Sequence, residues 1–167
     1  MYARKNYYGI QIEQNYNRAF EWYEKAMNNG NTDAMYMTAF CLYKGRGVKQ
    51  DYNKAYKIFG QLLNIDSSND VLYMIAECYY YGRGVEQDYQ KAFEMCNTLV
   101  GQGYETAKFL YAQCLYYGNG VKRDSEKAFV IFEDFASKDE NDIEAKYMVG
   151  ISYLDGFGVE QNYNKAF

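Results

Sequence analysis

The predicted fold class of this 167-residue chain is all-α, a solenoid of stacked antiparallel helix pairs. Three observations predict it. A glycine-containing phrase recurs along the chain, apolar residues on both sides of it fall at helical spacing, and there is no proline. The phrase reads Tyr-x-Gly-x-Gly-Val-x-x-Asp-Tyr-x-Lys-Ala. Clear copies begin at Tyr43, Tyr80, Tyr116 and Leu154, with a weaker one at Tyr7. Its first glycine recurs at Gly9, Gly45, Gly82, Gly118 and Gly156, at spacings of 36, 37, 36 and 38 residues. A fixed period of this size is the signature of a repeat array, in which each repeat packs on its neighbours.

The helix after each phrase carries an apolar stripe at i, i+3, i+4, i+7 and i+8 from the recurring alanine. The copies are Ala19, Trp22, Tyr23, Ala26 and Met27; Ala55, Ile58, Phe59, Leu62 and Leu63; Ala92, Met95, Cys96, Leu99 and Val100; and Ala128, Ile131, Phe132, Phe135 and Ala136. That spacing places all five residues of a copy on one core-facing side of a helix. Four residues before each alanine stands Asn15, Asp51, Asp88, Asp124 or Asn162, a side-chain oxygen suited to the unpaired amides of a first turn. Gly30 and Gly101 fall where these helices are expected to stop.

The helix before each phrase repeats the same stripe, for example Ala34, Met37, Thr38, Cys41 and Leu42, or Ala107, Leu110, Tyr111, Cys114 and Leu115. A small residue recurs at Ala3, Ala39, Ala76, Ala112 and Gly150, where close helix approach is expected. Glycine reaches the positive φ values of a tight helix–helix connection, so Gly-x-Gly reads as the turn. The chain is read as a single repeat domain, with repeats at about 1–30 (incomplete), 31–66, 67–103, 104–140 and 141–167 (incomplete).

Helix pairs carrying this phrase resemble the Sel-one-like repeat, a relative of the tetratricopeptide repeat. The run from Ala145 to Gly156 follows that pattern closely. The chain departs from it where Gln11 and Ile12 replace Gly-Val, and where Leu42 and Leu115 replace the second tyrosine. The resemblance implies a right-handed superhelix and a non-enzymatic adaptor. By analogy with tetratricopeptide arrays it implies that first helices line a groove. The partner-binding residues carried over are Tyr36, Phe40, Tyr43, Tyr73, Glu77, Tyr80, Tyr81, Gln113, Tyr116, Tyr117 and Ile151. Tyr36, Tyr73 and Tyr147 keep their type across repeats, as packing residues also do. The changing set Phe40, Glu77, Gln113 and Ile151 is the better source of specificity.

Composition narrows the function classes. The net charge of −4, with acids and bases interspersed, offers no basic face for nucleic acid. No apolar run approaches a membrane span. There is no histidine, which removes histidine-based triads and most zinc sites. The Gly-Arg-Gly at Gly45 and Gly82 lacks a third glycine and a preceding strand, so it is a turn and not a phosphate loop. Asp51, Asp88 and Asp124 read as helix caps and not as a carboxylate array. Cys41, Cys78 and Cys114 share one repeat position, too far apart for disulfides, so free thiols and an intracellular, cytoplasmic setting are expected. No cofactor or metal is called for. The expected partner is a protein or peptide. A self-associating structural segment of a larger protein is the alternative. Met1 and Phe167 both align inside helices, so a window cut from a longer array, prone to end-to-end association, is expected.

Overall fold

The computed structural model describes residues 15–166. The weak first turn at Gly9, the small residue Ala3 and Phe167 lie outside that range. The chain divides into two compact units, Met1–Gln87 and Asp88–Phe167. The division falls between the two helices of the expected 67–103 repeat.

In the first unit, α1 spans Tyr16–Asn28, α2 Thr32–Lys44, α3 Tyr52–Leu63 and α4 Asn69–Tyr81. Each packs on the next in sequence. In the second unit, α5 spans Tyr89–Gly101, α6 Thr106–Tyr117, α7 Ser125–Lys138, α8 Ile143–Asp155 and the short α9 Tyr163–Ala166, again packed in succession. No strand occurs among the described residues.

The caps form as the residues dictate. Asn15, Asp51, Asp88, Asp124 and Asn162 each accept a hydrogen bond from the backbone N–H three residues on, at 2.9–3.1 Å. Two further caps, Asn31 and Asp142, hold the starts of α2 and α8. They lie outside the recurring phrase and so carried no signal of their own. One helix stop differs from expectation. Gly30 is left-handed just beyond α1, but Gly101 is the last residue of α5, and Gly103 (φ 79°) takes the left-handed position. The extra residues of this connection move the stop along by two.

The Gly-x-Gly turn has a physical cause for each glycine. Gly82 ends α4 in the left-handed conformation (φ 65°) and donates to Cys78 O, which also accepts from Arg83 N at 2.9 Å. Gly84 (φ 76°) lies against the first residue of α3. A Cβ on Gly84 would fall inside contact distance of the Tyr52 carbonyl. Gly158 faces the Ser125 carbonyl of α7 in the same way. The second glycine is therefore the point where one repeat seats on the one before it. Gln87 and Gln161 fasten the turn by donating to the carbonyls of Tyr80 and Leu154, at 2.8 and 2.7 Å.

The core follows the two stripes. Ala19, Ala55, Ala92, Ala128, Phe59, Leu99 and Phe132 are fully buried, as are the small residues Ala39, Ala76 and Ala112. Trp22 departs from its stripe and is 47 % exposed, with the Lys25 ammonium 4.8 Å from its ring centroid. Phe20 and Phe129, one residue past the alanine, are buried instead of lying outside the stripe.

Candidate protein-interaction surfaces

Each compact unit carries its own set of first-helix side chains. In the first unit, Tyr36 and Phe40 of α2 stack with ring centroids 6.2 Å apart, and both are half-buried. Tyr43 is buried at 1 % exposure and meets Tyr52 edge-on at 5.3 Å. On α4, Tyr73 and Glu77 are half-buried, Tyr80 is buried, and Tyr81 is 40 % exposed. Tyr81 stands edge-on to Tyr80 at 4.9 Å. Arg83, in the turn after α4, donates from Nη1 to Tyr43 Oη at 2.7 Å. Its guanidinium carbon also lies 4.4 Å from the Tyr81 ring. Burial, and then the nearby Glu77 charge, push the Tyr43 phenol well above its ordinary range, while the Arg83 hydrogen bond pulls against them.

In the second unit, Tyr116 of α6 is buried and Tyr117 is 52 % exposed, the two rings edge-on at 5.0 Å. Tyr117 Oη reaches Met148 Sδ of α8 at 3.9 Å, and Gln113 Nε2 reaches Glu144 Oε1 at 3.4 Å. Phe109 turns inward against Phe132 and Phe135. On α8, Tyr147 is exposed and Ile151 half-buried. Lys146, Tyr147, Gly150, Ile151, Leu154 and Ala166 line a shallow cleft of 180 Å³.

The predicted contact residues thus divide into two classes. Tyr43, Tyr80 and Tyr116 lie in the core, so they are a floor and present no ring to a partner. Two of them are covered by the next turn of their own unit, Tyr43 by Arg83 and Tyr116 by Phe157. Tyr36, Phe40, Tyr73, Glu77, Tyr81, Gln113, Tyr117 and Ile151 keep accessible surface. Sequence reasoning missed Arg83, because an arginine inside a turn motif reads as solvated.

The four cysteines are free and buried. Burial raises Cys41 to about 11 and Cys78 and Cys114 to about 12, so these thiols stay protonated and unreactive near neutral pH. Among the described residues no three metal-ligating side chains cluster. No described helix is long and apolar enough to cross a membrane.

Sel1 repeats match residues 1–31, 32–61, 70–97, 106–138 and 143–167. This chain belongs to the Sel1 repeat family. Solved structures share the fold. A Sel1 repeat protein from Oxalobacter formigenes aligns over 99 % of this chain with TM-score 0.73 and 22 % identity. A protective antigen of uropathogenic Escherichia coli strains, described as displaying an SLR fold, aligns over 99 % with TM-score 0.67 and 24 % identity. A structure from Klebsiella pneumoniae aligns over 98 % with TM-score 0.61 and 21 % identity. This chain spans 64 %, 35 % and 82 % of those chains, respectively. No curated protein matches it. The all-α solenoid of helix pairs is therefore its fold class, and Sel1 repeat proteins generally serve as protein-interaction scaffolds.

Proposed function

We propose that this chain is a non-enzymatic scaffold that holds a peptide segment of a partner protein against exposed aromatic rings of its first helices. The observation that carries this reading is the pair Tyr81 and Tyr117. Both occupy the same repeat position, both are exposed, and each is braced edge-on by a buried tyrosine. A ring held in place loses little side-chain entropy on binding, yet offers a large apolar face and a hydroxyl. Phe40, Glu77, Gln113 and Ile151 supply the flanking contacts that differ from repeat to repeat, beside Tyr36 and Tyr73, which keep their type. Buried free thiols favour a reducing, intracellular setting for this work.

The test is affinity capture with cross-linking mass spectrometry, comparing the native chain with the Tyr81→Ala, Tyr117→Ala double variant. Loss of the captured partner with unchanged helicity supports the scaffold. Survival of binding, or collapse of the fold, removes these rings from the contact surface. If light scattering shows the native chain to be oligomeric and the variant monomeric, the rings contact a second copy and the self-association alternative holds.

A further inference from the structure

We propose that a cavity of the second unit, formed by α5, α6 and α7, binds a small organic acid with one carboxylate and a short aliphatic or aromatic body. The cavity measures 510 Å³, within the range of about 300–1,000 Å³ usual for small-molecule sites. Val100 of α5, Tyr111 of α6, and Val130 and Ile131 of α7 give it apolar walls, and Lys127 of α7 lines it as well. None of the first-helix contact residues named above lines it, so the site does not depend on the scaffold reading.

Two features of the cavity are not required by the repeat. The position of Val130 is held by Glu21, Lys57 and Glu94 in the other second helices, each an exposed charge. Valine there is 63 % exposed and turns a charged position into an apolar wall. Gly101 stands where the other second helices place Asn28, Asn64 and Ser137. It is helical, and a Cβ on it would meet nothing within 4 Å. Neither backbone conformation nor close packing demands a glycine, and the missing side chain leaves the cavity open.

The polar groups select the ligand's charge. Tyr111 is 5 % exposed and replaces the Thr38 and Ile75 of α2 and α4. Its hydroxyl accepts from Lys127 Nζ at 2.8 Å and donates to no described residue. Lys127 forms no ion pair among the described residues. A buried hydroxyl with an unused proton and an ammonium without a counter-ion therefore stand side by side. One carboxylate accepts from both, and the ammonium's bond is charge-assisted. The other charges in the lining are already met: Lys108 by Glu105 at 2.7 Å, and Asp134 by Lys138 at 2.6 Å. The lining thus has room for one negative charge, and the ligand's apolar body lies on Val100, Val130 and Ile131.

The test is a chemical-shift titration by NMR on the full chain, with phenylbutyrate as the probe. Binding is expected to saturate with a Kd of about 1 mM or tighter. The largest shifts should fall at Val100, Gly101, Val130 and Ile131. Phenylbutyramide, which keeps the shape and removes the charge, should bind at least about fivefold more weakly. Val130→Glu, which installs the residue that α1 and α5 carry, should lose at least about tenfold in affinity. Tyr111→Phe should lose about threefold or more through the missing hydroxyl. Ile65→Glu, the same kind of change at an exposed position of the first unit, should stay within about twofold. Circular dichroism verifies that the variants fold. Absence of saturable shifts, equal binding of the amide, or undiminished affinity in Val130→Glu overturns the inference. So does a peptide ending in a free valine carboxylate that binds at least about tenfold more tightly than phenylbutyrate, which would assign the cavity to a protein C-terminus.

Discussion

The turn that follows α4 and the turn that follows α8 share a backbone but differ in the side chain they carry. In both, the first glycine is left-handed and the second glycine lies against a carbonyl of the preceding repeat. Between the glycines stands Arg83 in the first unit and Phe157 in the second. Arg83 hydrogen-bonds the buried Tyr43 hydroxyl. Phe157 meets the equivalent ring of Tyr116 at 6.0 Å and carries the Arg123 guanidinium 3.7 Å above its own ring. Tyr116 Oη then has no hydrogen-bond partner among the described residues. Ser152, whose hydroxyl donates to Met148 O at 2.7 Å, acts on the Tyr116 phenol against the effect of its burial. The comparison separates two roles within one motif. The glycines are dictated by close backbone approach, so they recur. The residue between them faces side chains only, so it is free to make one repeat cationic and another aromatic.

The largest expected effect tests what the turns share. Gly84→Val and Gly158→Val should each destabilise by about 3 kcal/mol, through positive-φ strain and overlap with a carbonyl that cannot move aside. Chemical denaturation measures it. Gly82→Ala should cost about 1 kcal/mol, because the nearest atom its Cβ would meet is Gln87 Cβ at 3.3 Å, with the Gln87 backbone at ordinary contact distance. Equal, small losses at all three positions would show that the second glycine is not a seat.

The next effect tests what the turns do not share. Tyr43→Phe leaves the half-buried Arg83 guanidinium without this acceptor and should cost about 1 kcal/mol. Tyr116→Phe removes a hydroxyl that bonds to nothing described, and should change stability by less than about 0.5 kcal/mol or raise it slightly. Thermal melts of the two variants decide the point, and matching losses would erase the distinction between the units.

Capping is common to both units and should be no larger. Asp51→Ala and Asp124→Ala should each lower stability by about 1 kcal/mol. A difference between them in urea titrations would reveal unequal coupling of α3 and α7 to their neighbours.

The last effect is absent at neutral pH. Burial raises Cys41, Cys78 and Cys114 to about 11, 12 and 12 from the ordinary thiol value of 9.0. Between those limits the folded chain binds more protons than the unfolded chain, so stability must fall as pH rises. It should be constant below pH ~9 and decline through pH ~11–12. Melts of the native chain and of the triple Cys→Ala variant across this range should diverge. A pH profile unchanged by removing the thiols would contradict their burial.

Much of this architecture was legible in the residues because its causes are local. A cap acts across three residues, a left-handed glycine within a single residue, and an apolar stripe across two helical turns. Asn15, Asp51, Asp88, Asp124 and Asn162 therefore announced their helices, and the paired glycines announced their turns. The miss at Gly101 was also local: two glycines lay two residues apart, and either could take the left-handed position.

Burial obeyed a different range. Tyr80 and Tyr81 are adjacent and chemically identical, yet one is core and the other surface. What covers a ring comes from a turn about one repeat further along the chain, as Arg83 covers Tyr43 and Phe157 meets Tyr116. The same holds for the cavity beside Val130, whose walls come from α5, α6 and α7. Period, caps and turns are set by bonds between near neighbours in the chain. Which tyrosine is floor, which is contact surface, and where a cavity opens were settled only when distant repeats packed together, because exposure is a property of the whole arrangement of neighbours and not of the side chain that experiences it.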